Sequence, residues 1–576
     1  MSDQLGYLDN ELEKIRHLKI LPLIHNINNT RASVDFKLHI WWAKKPNNII
    51  SLIIKELSKK NDFILDPFVG SGITLHEAVK LNRNCIGLDL NRLAIFITKT
   101  TSQYYNKTEY LNLFDNILKN LKNNVYGKEK FKIHDLYLTE CPICGRKSEF
   151  SYMVYDQDRP IWLRLYCEHE GKRRNIKKKT LNNDDFKLIR KIGGIKVPYW
   201  VPENIFYRNS RINIADNVSI DYFYTKRNLI TLSIINHEIN RIKPCPEKDL
   251  LKLTFSNILR KTSKLIGTKG GLSIAYWIPK RGRKENNPIL QLIKAKNKIL
   301  KNWDYIKRIG KKIKNKTNNP MIETVPVQEL DSIIKDESVD LIVTDPPYGD
   351  EVPYLELSML WTSWLKLEHS SEDFNREIVL TNSPERPDKN PKNKEGLKNY
   401  RISMEIAFQK LSDCLKDNHI ACIWFQELEL PIWNIMIQAA KKARLYYIEQ
   451  THVLTSIRSL KPKFTPNPTL KGHVIAFFIK ISKIDKENIY NDIDHHTAVN
   501  KAEILILETA KSIIRERNGA TTNELYTNEG LNQGGIISKL IKNRLLDHTS
   551  KEYRNLFKIF KKELNFNNSV GKWYLK

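Results

Sequence analysis

The stretch DLIVTDPPYGD (340–350) ends an apolar run with an acid, two prolines and a tyrosine. Proline gives a sheet no N–H and its ring fixes φ, so two of them at a strand end are costly and preset the carbonyls they carry. A second stretch, FILDPFVGSG (63–72), runs from a short strand through Asp66-Pro67 into a turn loosened by Gly70 and Gly72. Such glycines let backbone approach a ligand closely. A third, NCIGLDLN (84–91), places Asp89 at the end of the next strand, where an acid accepts hydrogen bonds from ribose hydroxyls. The turn lacks the dinucleotide spacing GxGxxG, and no GKS or GKT offers a phosphate lysine. The expected ligand therefore has a ribose and needs no phosphate.

A fourth cluster has metal-ligand spacing. CPICGR sets Cys141 and Cys144 two residues apart, with Gly145 to turn the chain, and RLYCEHEG offers Cys167 and His169. Two such pairs suit tetrahedral zinc in a structural role. His134 or Glu170 could replace His169, and plain buried cysteines or a redox pair are the alternatives.

These residues need a frame. Helix-like 47–60, strand 63–65, helix 73–82, strand 84–91 and helical 92–122 lead to KFKIHDLY (130–137), read as a third strand ending near Asp135. Strand, glycine turn, helix, strand with a terminal acid opens a doubly wound, mostly parallel sheet. The pattern then breaks for roughly 200 residues and resumes at SVDLIVTD (338–345). The break holds helices near 218–239 and 251–265, the basic run KRRNIKKK (172–179), and 280–316 with fourteen Lys/Arg against Glu285 and Asp304. Beyond 350, helices at 398–416 and 428–442 alternate with strands at 419–426, 446–454 and 472–481.

The expected division is 1–137, an N-terminal element and cofactor-binding half; 138–330, an inserted target-recognition region with a candidate zinc ribbon at 138–172; 331–484, a catalytic half; and 485–576, a small helical, docking or helix-turn-helix-like module.

Composition narrows the partners. The 576 residues hold 95 Lys plus Arg against 65 Asp plus Glu, a net +30, which predicts attraction to a polyanion. Seven cysteines make no disulfide scaffold. The start, MSDQLGYLDNELEKIRHL, does not read as a signal peptide, and no stretch approaches 18 apolar residues; no membrane partner and a cytoplasmic location are expected. Oligomeric state is not legible.

DPFVGSG (66–72), GLDLN (87–91) and DPPY (345–348) together resemble motifs I, II and IV of S-adenosylmethionine-dependent DNA amino-methyltransferases, in the DPPY, large adenine-specific subgroup. HIWWAKKP (39–46) is similar to an element of that subgroup beside the methionine end of the cofactor, and FYTKRNL (223–229) to its FTxRQL signature, with Asn228 where Gln is usual. The resemblance covers about 36–480. It implies a seven-stranded methyltransferase sheet in which Trp42, Asp66, Pro67, Phe68, Gly70 and Gly72 line the cofactor. Asp89 would meet the ribose and Asp135 would lie near the adenine. Asp345, Pro346, Pro347 and Tyr348 would hold the target base. Asp345 and the Pro346 carbonyl would accept the two N–H groups of an exocyclic amine, and Tyr348 would stack on the extruded base. The implied partner is double-stranded DNA with a flipped base, together with partner proteins of a restriction-modification or phage-defence system. The implied reaction is adenine-N6 methylation, with cytosine-N4 methylation and a catalytically silent DNA-binding subunit as alternatives. Trp41 and Trp42 also read as core aromatics.

Overall fold

The computed structural model describes residues 38–42, 44–169, 172–209, 212, 214–215, 217–268, 276–315, 320–349, 352–453, 470, 472–482, 494–527 and 535–576, without the side chains of 169 and 172–174. The expected N-terminal element before residue 38, Glu170 and the His169 side chain lie outside the described residues.

The first helix among the described residues, α1 (Asn47–Leu57), enters from Pro46 and buries Ile49, Ile50, Ile53 and Ile54 on one stripe. Then follow β1 (Phe63–Asp66), α2 (Ile73–Lys80), β2 (Asn84–Asp89), α3 (Arg92–Ser102) and α4 (Lys107–Asn123). The inserted region holds β3 (Leu138–Glu140), β4 (Lys147–Asp156), β5 (Arg159–His169), β6 (Lys172–Thr180), α5 (Asn183–Gly194), α6 (Lys226–Asn240), α7 (Pro246–Leu259), β7 (Arg281–Asn286), α8 (Pro288–Lys301) and α9 (Trp303–Lys314). The chain returns through β8 (Met321–Thr324), β9 (Val339–Thr344), α10 (Tyr354–Leu365), α11 (Ser371–Arg376), α12 (Lys394–Cys414), β10 (Leu415–Phe425), α13 (Leu430–Lys442), β11 (Leu445–Val453) and β12 (His473–Lys480).

Seven strands form one sheet in the order β11-β12-β10-β9-β1-β2-β8. The pairs from β8 across to β10 are parallel, while β12 runs antiparallel to both β10 and β11. Central strands are buried on both faces: Ile64, Leu341 and Val343 pack into one layer, Leu65 and Ile342 into the other. From β1 the chain winds outward to β2 and β8, then returns to β9 on β1's other side. That reversal is a switch point, where a crevice opens at the carboxyl ends of the strands.

Two sequence readings are corrected. Residues 130–137 do not form a sheet strand; Ile133–Tyr137 is a 3-10 turn. The third strand of the parallel half is β8, paired with β2 through Ile86 and Met321. The sheet therefore resumes before 338–345. MIET was hard to find because β8 is a short edge strand with largely exposed side chains.

The insertion builds a second sheet, β3-β4-β5-β6 with β7 on β4. Its inner side chains Phe150, Met153, Leu163 and Leu165 join a core that reaches Trp42, α6–α8 and Leu357, Leu360, Trp361 and Trp364 of α10. Trp361 donates its indole N–H to the Ser256 carbonyl at 3.0 Å.

The C-terminal segment holds α14 (His495–Arg517), α15 (Thr522–Thr527), α16 (Ile536–Lys542), α17 (Leu546–Glu552) and α18 (Phe557–Glu563). It also forms a hairpin, β13 (Leu564–Asn567) with β14 (Lys572–Leu575), which the purely helical expectation missed. Its α16 lies on the edge strand β11: Ser538 donates to Glu449 at 2.8 Å and Lys542 pairs with the same carboxylate at 2.5 Å. Covering an edge in this way blocks further strand pairing.

Candidate functional site

Three strand ends bring the acids together. Asp66 closes β1, Asp89 closes β2, and Asp345 follows β9 directly. Pro67, Phe68, Gly70, Asp89, Asp345 and Pro347 line one cleft of about 610 Å³. A second, of about 390 Å³, is lined by Trp42, Lys45, Asp66, Thr74, Asp345 and Trp424 among others. Trp41, Phe68, Gly70 and Asp345 border both, so the clefts adjoin there.

The glycine turn is tightly determined. Gly70 has φ +54°, and a Cβ on it would stand 2.6 Å from Trp41 Nε1. Its N–H donates to Asp89 Oδ2 at 2.9 Å, while the Asn91 N–H donates to Oδ1 at 2.8 Å. Gly72, at φ +84°, starts α2, and a Cβ there would meet Thr98 at 3.0 Å. Thr98 in turn donates to the Gly70 carbonyl at 3.2 Å. The turn thus carries Asp89 on its backbone and packs Trp41 against its surface.

Burial governs the carboxylates. Desolvation pushes Asp89 up to about 7 against the pull of its two backbone donors. It pushes Asp66 up to about 6, although the Thr344 hydroxyl donates to Asp66 Oδ1 at 2.7 Å and the Phe68 N–H at 3.2 Å.

Asp345 is held differently. Lys45 Nζ lies 2.5 Å from Asp345 Oδ2, and only 5% of the lysine side chain is exposed. The same ammonium lies 5.7 Å from the Tyr348 ring centroid and 5.9 Å from that of Trp424. Pro346 is buried, Pro347 borders the larger cleft, and Tyr400 donates to the Pro347 carbonyl at 3.1 Å. Tyr348 packs into the core with its ring 5.3 Å from Phe425. Trp41 stacks on Tyr354 at 5.8 Å, and Trp42, 3% exposed, stands edge-on to Trp361 at 5.6 Å.

Asp135 lines neither cleft; it lies on the 3-10 turn that leads into the insertion. The position beyond the third strand is taken by Pro326, Val327 and Gln328, which line the larger cleft. Sequence reasoning also missed Lys45 and Glu377. Lys45 sat in the quoted HIWWAKKP, directly before Pro46, from which α1 starts. Glu377 gave no signal. It lines the larger cleft, accepts the Leu355 N–H at 3.0 Å and pairs with the buried Arg386 at 2.6 Å. Arg386 also reaches Glu356, which burial pushes up to about 8.

The cysteines converge elsewhere. Between β3 and β4 the chain makes a knuckle: the Gly145 N–H donates to the Cys141 carbonyl at 2.9 Å, and Gly145 has φ +70°. Cys167 arrives from β5, and the sulfurs of Cys141, Cys144 and Cys167 lie within 4.8 Å of one another. Cys144 Sγ and Cys167 Sγ are 3.6 Å apart, too far for a disulfide. The three thiols form a cluster suited to a metal ion. No described helix is long and apolar enough to cross a membrane.

Residues 16–100 match the N6_N4_Mtase family model, described as DNA methylase. The chain is 22% identical over 348 residues to the Type II methyltransferase M.MjaII of Methanocaldococcus jannaschii, covering 55% of this chain and 60% of that protein. It is 32% identical over 107 residues to the Type II methyltransferase M2.DpnII of Streptococcus pneumoniae, covering 17% of this chain and 40% of the relative. Over 60 residues it is 43% identical to the Type II methyltransferase M.HindIII of Haemophilus influenzae, 10% of this chain and 19% of the relative. The chain thus spans less than two thirds of each of these relatives.

Proposed function

We propose that this chain is an S-adenosylmethionine-dependent DNA methyltransferase acting on the N6 amine of adenine. The observation that carries the reading is the nitrogen donor already held by Asp345: the Lys45 ammonium at 2.5 Å, where the two clefts meet.

The larger cleft suits the cofactor's nucleoside. Asp89, braced by two backbone N–H groups, would accept the ribose hydroxyls; Pro326, Val327 and Gln328 would flank the adenine. Gly70 and Gly72 would let the backbone approach the methionine portion, with Trp41, Trp42, Asp66, Pro67 and Phe68 around it. Asp66 remains part of this reading; Asp135 does not. When bound, S-adenosylmethionine supplies a sulfonium methyl group.

The chain's own groups handle the acceptor. An aromatic amine is a weak nucleophile because its lone pair is shared with the ring. Asp345 would accept one amine N–H and the Pro346 carbonyl the other. Two acceptors aimed at a tetrahedral nitrogen favour the attacking geometry over the planar one. The carbonyl needs no reorganisation, since both prolines fix the backbone. Lys45 would hold Asp345 oriented until the target amine displaces it. Tyr348 and Trp424 would wall the pocket around a base drawn from the helix at a cost of a few kcal/mol.

The relatives' names as Type II methyltransferases support a place as the modification component of a restriction-modification or phage-defence system. Cys141, Cys144 and Cys167 would hold a structural Zn²⁺. Sulfurs about 2.3 Å from a tetrahedral zinc lie roughly 3.8 Å apart, close to the 3.6 Å between Cys144 and Cys167. His169 would supply the fourth position.

The test is Asp345→Ala with two readouts. Methyl transfer to DNA should fall by on the order of 10³-fold or more, while cofactor affinity stays within about twofold. Transfer that survives the substitution would remove Asp345 from the mechanism and sink the reading.

A further inference from the structure

The inserted sheet has two dissimilar faces. Strand alternation, with a β-bulge between Phe150 and Tyr152, sends Phe150, Met153, Leu163 and Leu165 inward, where all are at most 1% exposed. The opposite face presents Tyr152 of β4, Trp162, Arg164 and Tyr166 of β5, and Lys284 of β7, each half-buried. Tyr152 pairs directly with Arg164 across the two strands.

These side chains form one cation–aromatic array. The Arg164 guanidinium lies 5.9 Å from the Tyr152 ring centroid and 5.6 Å from that of Tyr166. Lys284 Nζ is 4.7 Å from the Tyr152 ring, and Trp162 stands edge-on to Tyr152 at 5.8 Å. Arg164 also donates to Asn175 Oδ1 of β6 at 3.0 Å, which fixes its plane. Lys177 and Lys178, both exposed, follow on the same strand.

From this arrangement we infer that the outer face of the inserted sheet is a stacking surface for unpaired nucleobases. Two properties select that occupant. The cations on and beside the face, in a chain of net charge +30, attract a polyanion. The rings supply what a backbone-reading surface does not need: flat apolar area on which a base can lie, worth about 1–3 kcal/mol per base. Bases inside a duplex are already stacked on one another and offer only their edges to the grooves. The fitting partner is therefore a single-stranded or locally opened nucleic acid. This inference does not rest on methyl transfer, because binding is read without cofactor.

The experiment measures affinity of the full chain for a labelled short oligothymidine and for a blunt duplex of equal length, at several salt concentrations. The wild-type protein should bind the single strand more tightly than the duplex. Tyr152→Leu/Trp162→Leu/Tyr166→Leu should lower single-strand affinity by at least about tenfold and duplex affinity by less than about threefold. Arg164→Ala/Lys284→Ala should instead flatten the salt dependence. Photocrosslinking of a 5-iodouracil oligonucleotide to the wild-type chain gives a readout independent of variant folding, with adducts expected at Trp162, Tyr166 or Tyr152. Equal competition by polyglutamate, equal affinity for duplex and single strand, crosslinks confined to other regions, or a folded triple variant that binds like the wild type would each overturn the proposal.

Discussion

The cleft at the strand ends and the outer face of the inserted sheet solve opposite problems. In the cleft the polar anchors are acids: Asp89 and Asp66 bind backbone N–H groups or a buried threonine, and burial raises both pKa values. On the inserted face the anchors are half-buried cations laid over rings. A desolvated acid fixed by backbone donors suits a small ligand bearing hydroxyls, since its acceptors are preset and cost little to order. Cations laid over rings suit a long polyanion, whose counterions they release on contact. The joining element is α10. It follows the DPPY turn, stacks Tyr354 on Trp41, and buries Trp361 and Trp364 in the insertion's core.

Each side of that contrast can be broken separately. The largest effect on binding is expected at the glycine turn. Gly70→Ala would place a methyl 2.6 Å from Trp41 in a left-handed backbone. Cofactor affinity measured by calorimetry should fall on the order of 100-fold, about 2.7 kcal/mol, with the affinity for DNA in the absence of cofactor unchanged. The converse change is Cys144→Ser. Metal content should drop, and single-strand affinity by roughly 30-fold, because the β3–β5 junction loses its clamp; cofactor binding should persist.

Next in size is Asp89→Asn, with about tenfold weaker cofactor binding. Its pH profile sharpens the point. Burial raises Asp89 to about 7, so the carboxyl is protonated below that value and ionised above it. The ionised form accepts hydroxyl donors on both oxygens. Wild-type cofactor affinity should therefore rise as pH increases from about 6 to 8 and level off, while the Asn variant should stay flat. The smallest effect is expected from Lys45→Met. Removing the ammonium from Asp345 should lower the transfer rate only a few-fold, because the target's N–H takes its place on the carboxylate, leave cofactor affinity intact, and be partly rescued by Lys45→Arg.

Much of the cleft was legible because its residues break local rules. Asp-Pro at the end of β1, glycines opening a helix and Pro-Pro after β9 are costly unless they serve a ligand, so they stand out in sequence. Asp135 was misplaced for the complementary reason. IHDLY has the composition of a strand end, yet it packs as a 3-10 turn because Tyr137 donates into the insertion's core at Asn228, 3.0 Å away. The true third strand, MIET, is too short and exposed to announce itself. Glu377 and Arg386 were invisible because their pairing depends on a turn within 366–390 that brings residues nine apart into contact. Lys45 was passed over because its partner lies 300 residues away, and no spacing rule reaches that far.

The most direct measurement is nucleoside analysis after transfer. The protein is incubated with methyl-labelled S-adenosylmethionine and mixed-sequence duplex DNA, the DNA is digested, and the labelled nucleoside is identified. The account predicts label in N6-methyladenine. Label in N4-methylcytosine would move the acceptor to the other exocyclic amine, and a chain that binds the cofactor yet labels no DNA would contradict the claim that Asp345 holds a DNA amine for methylation.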